Sequence, residues 1–383
     1  MPRYPGIAQT VASMEGSLFS RLAHRLQKMT GECYPLHVGD TWREPAEGCR
    51  MEDLRVADYP GMHRYTSPHG LPMLLDGIVA RASERTSVAT ELDNVLVTAG
   101  ATGALGAIIG ATTDPGDEIL LLAPYWPLIA GIVKSVGAVP VAVPYIGPVT
   151  GTADVSEVLD RYATDRTAAI YLSTPNNPTG RVIPAEEIDA IVEWAQAMDL
   201  WILADEVYED YVYSGEHRYA RSCAPERTFS VHSFSKAYGM AGNRCGYVVG
   251  PAEVMKQVRK VGTHTFYSTP TASQIAAARA LDGRGAAWVE EIQPAYLAAG
   301  TAAAHRLGLD VPEGSQFLWI DVAEQLDERG LTGFLEDCLD EGLLVAPGPS
   351  FGPYPTHIRV CYTAVPPEVT ARGIECLAQL LGR

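Results

Sequence analysis

Between residues 94 and 232, short apolar runs alternate with stretches of helical spacing, and this rhythm restricts the fold more than any other feature of the chain. The apolar runs fall at 94–98, 118–122, 139–143, 167–173, 200–205 and 228–232, and most are nearly continuous in Val, Ile, Leu and Ala. They lack the polar alternation of a strand that faces water on one side. Helices are expected between them at 100–110, 128–136, 155–162 and 185–198. The last has Glu186 and Glu187 in its first turn, where the helix dipole favours acids. Apolar strands separated by helices make an α/β fold, a mostly parallel sheet covered on both faces. In such a sheet, functional groups collect at the carboxyl ends of the strands.

The flanks read differently. Residues 11–26 carry apolar positions at helical spacing, 34–40 read as a short strand ending at Gly39, and 71–83 as an amphipathic helix. The segment between, through Tyr65 to Gly70, is turn-rich, and loops of that length tend to be functional. After about residue 285 come a helix at 286–307, strands at 317–321, 343–346 and 357–362, a helix near 331–341 and a closing helix. This is the pattern of a smaller α+β unit, against which the N-terminal helix is expected to pack.

Charge and cysteine usage narrow the function class. With 29 Lys+Arg against 46 Asp+Glu, the net charge is −17, which argues against nucleic acid and anionic membranes as partners. No 18-residue apolar run and no apolar signal core is present, so no membrane span is expected. The seven cysteines are scattered without a CxxC pair. They fit free thiols in the cytoplasm rather than a disulfide frame or a metal site.

Five stretches carry chemistry. In 229–250, Lys236 sits between apolar runs, close to Ser233, Ser235 and Arg244 and among glycines that no regular helix favours. A desolvated lysine loses its proton more easily and becomes an amine nucleophile, and the hydroxyls and guanidinium would suit a phosphate. A snorkelling surface lysine is the bland alternative. Gly100-Ala101-Thr102-Gly103, between a strand and a helix, suits a phosphate at a helix N-terminus or simply close packing. Asn176-Asn177-Pro178-Thr179-Gly180 is a turn that can aim the Asn177 amide into a cleft. Asp205 ends an apolar strand, three residues before Tyr208. A buried carboxylate there needs a partner, such as a protonated ring nitrogen, unless Asp205 merely caps a helix. Trp126 lies just past another strand, where an aromatic stacks on a flat ring or belongs to the core.

Together, Asn-Asn-Pro-Thr-Gly, Asp-Glu-Val-Tyr and Ser-Phe-Ser-Lys-Ala-Tyr-Gly-Met-Ala-Gly-Asn-Arg resemble the pyridoxal-phosphate enzymes of aminotransferase class I/II, fold type I, in the family's order from about Gly39 to Arg359. The resemblance implies a large pyridoxal-phosphate-binding domain over 46–284, with a seven-stranded mostly parallel sheet, and a small domain built from 1–45 and 285–383. It implies Lys236 as the Schiff-base lysine and proton shuttle, with Asp205 on the pyridine nitrogen. Tyr208 and Asn177 would hold the ring oxygen, and Trp126 would stack on the ring. Gly100, Ala101, Thr102, Ser233, Ser235 and Arg244 would hold the phosphate. Tyr65 would reach the neighbouring subunit's phosphate, which makes a homodimer part of the expectation. Arg359, with Gly39, would clamp the substrate α-carboxylate. Asn243 stands where the family commonly has a bulky residue, and Asp40-Thr41-Trp42 departs from its usual continuation after Gly39.

The activity so implied is amino transfer between an L-α-amino acid and a 2-oxo acid. The same cofactor chemistry also serves elimination, cyclisation or oxidation, and the motifs do not separate these. A non-catalytic regulator would carry a DNA-binding segment ahead of Gly39, and a nicotinamide dehydrogenase would need G-x-G-x-x-G. The chain has G-x-x-G-x-x-G at Gly100, Gly103 and Gly106.

Overall fold

A seven-stranded sheet lies at the centre of the molecule, seen in a computed structural model that describes residues 6–12, 14, 31–145 and 155–383. Its strands are β2 (Val95–Thr98), β3 (Glu118–Ala123), β4 (Val139–Pro144), β5 (Thr167–Ser173), β6 (Trp201–Asp205), β7 (Thr228–Ser233) and β8 (Gly246–Val249). Their spatial order is β2-β8-β7-β6-β5-β3-β4, all parallel except β8, which runs antiparallel to both neighbours.

Side chains alternate across each strand, so the two faces have separate cores. Ile119, Leu121, Ala169, Tyr171, Leu203, Phe229 and Val231 point to one face. There they meet the helices Gly100–Thr112, Ile129–Ser135 and Ala252–Thr265. Leu120, Leu122, Ile170, Leu172, Ile202 and Ala204 point to the other face, under Val155–Asp160 and Ala185–Ala197. At the β2–β8 edge, that side is covered by Pro72–Thr86 and Thr271–Arg279. Burying each such aliphatic side chain contributes about 1.5–3 kcal/mol, which is why both faces are apolar. The same alternation puts Asp205 on the face of Leu203 and His232 on the opposite face from Val231.

β9 (Phe317–Asp321), β11 (Ala346–Pro347) and β12 (His357–Cys361) form a separate antiparallel sheet in the order β11-β12-β9. β1 (Tyr34–Pro35), near the chain start, pairs in parallel with β10 (Leu343–Leu344) near its end. Leu36, Ile320, Val360 and Leu377 share the core between them and the helices Gly285–Leu307, Gly330–Asp340 and Pro367–Leu380.

Around this frame, several boundaries differ from the sequence expectation. The strand at 34–40 shrinks to two residues, because Leu36 turns away to accept a hydrogen bond from Cys361 N–H of β12. The run 343–346 splits at Val345, its halves pairing with β1 and β12. Ala252–Thr265 and Thr271–Arg279 are additional helices. The spacing of Val254, Met255, Val258 and Val261 carries the signal for the first. Most of the helix expected at 11–26 lies outside the described residues; among the described ones, Gln9–Ala12 forms a single turn. Among the described residues, no helix is long and apolar enough to cross a membrane.

Candidate active site

The carboxyl ends of β5, β6 and β7 and the loop after β3 open into one cavity of about 150 Å³. Its walls include Ala101, Thr102, Trp126, Asn177, Asp205, Tyr208, Ser233, Ser235, Lys236 and Arg244, together with Val207 and Ala241. Residues spread over more than 140 positions of sequence converge there because the parallel strands all end on the same side.

One end of the cavity is a cradle of backbone and small side chains. β2 ends at Thr98, and Gly100, at φ +70°, turns the chain into its 13-residue helix, whose first-turn residues Ala101 and Thr102 line the wall. A Cβ on Gly100 would lie 2.5 Å from Nη2 of Arg244. One on Gly246 would lie 2.7 Å from the His232 carbonyl oxygen and 2.8 Å from the Gly100 carbonyl carbon, both unyielding backbone. The glycines therefore let β8 and the helix start approach closely enough to bring Arg244 over the exposed N–H groups of a helix N-terminus. Ser233 ends β7 and caps a one-turn helix, Phe234–Ala237, its hydroxyl accepting from Ser235 N–H at 3.1 Å. Lys236 sits in that turn. A helix was not expected among these glycines, and it indeed ends after one turn, where Gly239 takes φ +65° against Thr41 and Arg43.

The Lys236 ammonium donates to the carbonyl of Gly39. Burial lowers its pKa, Arg359 and Arg244 push the same way, and Asp40 opposes them. A lysine so placed gives up its proton more readily than a surface one. Its ammonium is turned inward onto Gly39 along the cavity wall, not outward to solvent as the snorkelling alternative requires.

Asp205 stands at the end of β6, and a turn rather than a helix follows it, so it caps no helix. Its Oδ2 accepts from the Tyr171 hydroxyl at 2.7 Å, while Oδ1 is buried without a hydrogen-bond partner. Burial pushes its pKa up to about 6, against the pull of the Tyr171 bond. Tyr208 is buried beside it, edge-on to Phe317 at 5.6 Å.

Arg359 reaches the site from β12. Nη1 donates to Asn177 Oδ1 at 2.8 Å and Nη2 to the His37 carbonyl at 2.6 Å. Its guanidinium carbon lies 4.2 Å from the Phe317 ring centre and 4.9 Å from that of Phe351. Burial lowers its pKa, and among the described residues no carboxylate forms an ion pair with it. Its partners are an amide oxygen, a carbonyl and two ring faces, so the fold does not hold it through a structural ion pair. Gly39 lies alongside, where a Cβ would be 2.7 Å from the Phe317 ring.

Tyr65 does not line this cavity. It is 90% exposed, edge-on to Tyr267 at 5.3 Å. Sequence reasoning overlooked Tyr171, the flanking Phe317 and Phe351, and the His37 carbonyl. Each acts across strand or sheet boundaries that no local motif reveals.

The model of the family described as aminotransferase class I and II matches residues 37–377. An aspartate/prephenate aminotransferase of Thermus thermophilus is 33% identical over 87% of this chain and 87% of its own. An arginine–pyruvate transaminase of Pseudomonas aeruginosa is 31% identical over 84% of each chain. Among solved structures, aspartate aminotransferase from Thermus thermophilus with maleate superposes with a TM-score of 0.89 at 29% identity, covering 98% of this chain and all of that one. N-succinyldiaminopimelate aminotransferase from Mycobacterium tuberculosis reaches a TM-score of 0.87 at 26% identity over 98% of this chain.

Proposed function

This chain belongs to aminotransferase class I and II and is a pyridoxal-phosphate-dependent transaminase, and from that premise we propose how its own residues divide the work. In this reading it moves the amino group between an L-α-amino acid and a 2-oxo acid, with Lys236 as the residue that carries the cofactor. The observation that carries it is the convergence of a desolvated lysine, an unpartnered buried carboxylate oxygen and a guanidinium-topped helix start in one cavity.

These features suit pyridoxal phosphate. Asp205 Oδ1 lacks a donor that a protonated ring nitrogen supplies. The first turn of Gly100–Thr112 offers free N–H groups, with Thr102, Ser233, Ser235 and Arg244 beside them, to a phosphate dianion. Tyr208 and Asn177 would face the ring oxygen, and Trp126 would cover the ring. When bound, the cofactor supplies an electron-withdrawing ring that stabilises negative charge on the carbon bearing the amino group. Asp205 would keep the ring nitrogen protonated. Lys236 Nζ, with its lowered proton affinity, would take the proton from that carbon and deliver it to the cofactor side, the shuttle that amino transfer requires. Arg359 presents a planar fork held by Asn177 and the His37 carbonyl, and its charge is open to a substrate α-carboxylate. The relatives are named for aspartate and for arginine, whose side chains carry opposite charge, so the shared machinery reads the α-amino carboxylate end.

The reading extends to a homodimer in which the exposed Tyr65 reaches the neighbouring subunit's phosphate, and to 46–284 and 1–45 with 285–383 as its two domains. A cytoplasmic setting fits seven free cysteines. The test is to reduce the purified yellow protein with borohydride and map the label, and to assay a panel of amino acids and 2-oxo acids. The label should sit on Lys236; recovery on another lysine rejects the assignment.

A further inference from the structure

We propose that Tyr171 is the positioning residue for Asp205: its hydroxyl clamps one carboxylate oxygen so that the other is held toward the cofactor ring nitrogen. This rests on the reading that Asp205 pairs with pyridoxal phosphate.

The strand register creates the clamp. Tyr171 pairs with Leu203 and Ser173 with Asp205, so Tyr171 and Asp205 are diagonal neighbours on the same face of β5 and β6. A diagonal separation of roughly 7–8 Å between backbones is within reach of a tyrosine. The hydroxyl meets Oδ2 at 2.7 Å, with both side chains buried. Two other features make this a clamp rather than a passing contact. Tyr171 is wedged among Ala169, Leu203 and Phe229 and has no route to water; the Ser173 hydroxyl on the same strand also interacts with the phenol, but the bond of good geometry is the one to Oδ2. Burial and the neighbouring Asp205 also hold the phenol's pKa well above its usual value, which keeps it a donor throughout the working pH range. The other ionisable groups close enough to act on Asp205 are Glu206 and Tyr208 just downstream and His232, which lies on the other face of β7. None of them is its hydrogen-bond partner.

A hydroxyl donating to the carboxylate does two things. It fixes the rotamer, aiming Oδ1 into the cavity, and it weakens the carboxylate as a base. The proton shared with the ring nitrogen then stays on the ring. Without the hydroxyl, the more basic and freer carboxylate draws that proton toward itself, and the ring becomes a poorer electron sink.

The experiment loads Tyr171→Phe with pyridoxal phosphate labelled with ¹⁵N in the ring and reads the nitrogen chemical shift of the holoenzyme against wild type. The shift should move toward the unprotonated position. The kcat should fall about tenfold, as for loss of one bond to a charged group, while KM for the amino acid changes less than twofold. A merely structural tyrosine would change melting temperature without moving the nitrogen signal. Site-specific 3,5-difluorotyrosine at 171 keeps the shape and donates more strongly. It should move the signal the opposite way, and it serves as the test if Tyr171→Phe does not fold. An unchanged signal in either folded variant overturns the proposal. Asp205→Asn separates the levels: if it too leaves the signal unchanged, the pairing of Asp205 with the cofactor is what fails.

Discussion

Asp205→Asn should move activity and the stability of the cofactor-free protein in opposite directions. The asparagine carbonyl can take over the Tyr171 bond at Oδ2, so the local geometry survives. What disappears is the anionic oxygen facing the cavity, replaced by an amide NH₂ that cannot accept a proton. Loss of a charge-assisted bond at a buried site is worth roughly 2–5 kcal/mol, so kcat/KM should fall roughly 30- to 5000-fold. The empty site responds differently. Burial pushes the Asp205 carboxyl from its ordinary 3.8 up to about 6. A carboxyl raised in this way supports the fold below pH 4, and its contribution is lost as the pH rises through about 6, because the folded state must then hold a desolvated charge. At about 1.4 kcal/mol per pH unit, the interval from 3.8 to about 6 amounts to about 3 kcal/mol. The asparagine variant carries no such charge. Without cofactor at pH 8, it should be more stable than wild type by up to about 3 kcal/mol, or about 4 °C in Tm for 383 residues. The gap should narrow as the pH is brought from 6 towards 4. The assays are steady-state kinetics of the holoenzymes and calorimetric melting of the cofactor-free proteins across that range. Activity within threefold of wild type refutes the role of Asp205, and a Tm difference independent of pH refutes the argument from buried charge.

Arg359→Lys keeps the charge but loses the planar fork held by Asn177 and the His37 carbonyl. It should therefore lower kcat/KM for an active amino acid by roughly 5- to 150-fold (about 1–3 kcal/mol) and barely affect the decarboxylated amine. Equal penalties on the two compounds would make Arg359 structural. Gly246→Ala would place a Cβ 2.7 Å from the His232 carbonyl oxygen and 2.8 Å from the Gly100 carbonyl, forcing the backbone apart. Pyridoxal-phosphate affinity should fall at least about tenfold, read by fluorescence titration of the cofactor-free protein, and wild-type affinity would remove the close approach of β8 from the account.

Local periodicity determined much of this protein. Apolar runs of strand length separated by helical spacing can bury both faces only as a covered parallel sheet, and the strands lie within a residue or so of where that pattern puts them. The motifs around Gly100, Asn177, Asp205 and Lys236 were legible for a related reason. Each lies at a strand end, and a parallel sheet gathers its strand ends on one side. Tertiary structure decided what depends on the relation between strands distant in sequence. The two-residue β1 and the split at Val345 follow from which partners are within reach. Arg359 is flanked by Phe317 and Phe351 because β12 lies between β9 and β11. Tyr171 reads in the sequence as one more apolar strand residue; only the register of β5 on β6 turns its hydroxyl into the partner of Asp205. A period-two pattern says which face a side chain takes, while the neighbour it meets there is fixed by pairing energies summed over the whole sheet.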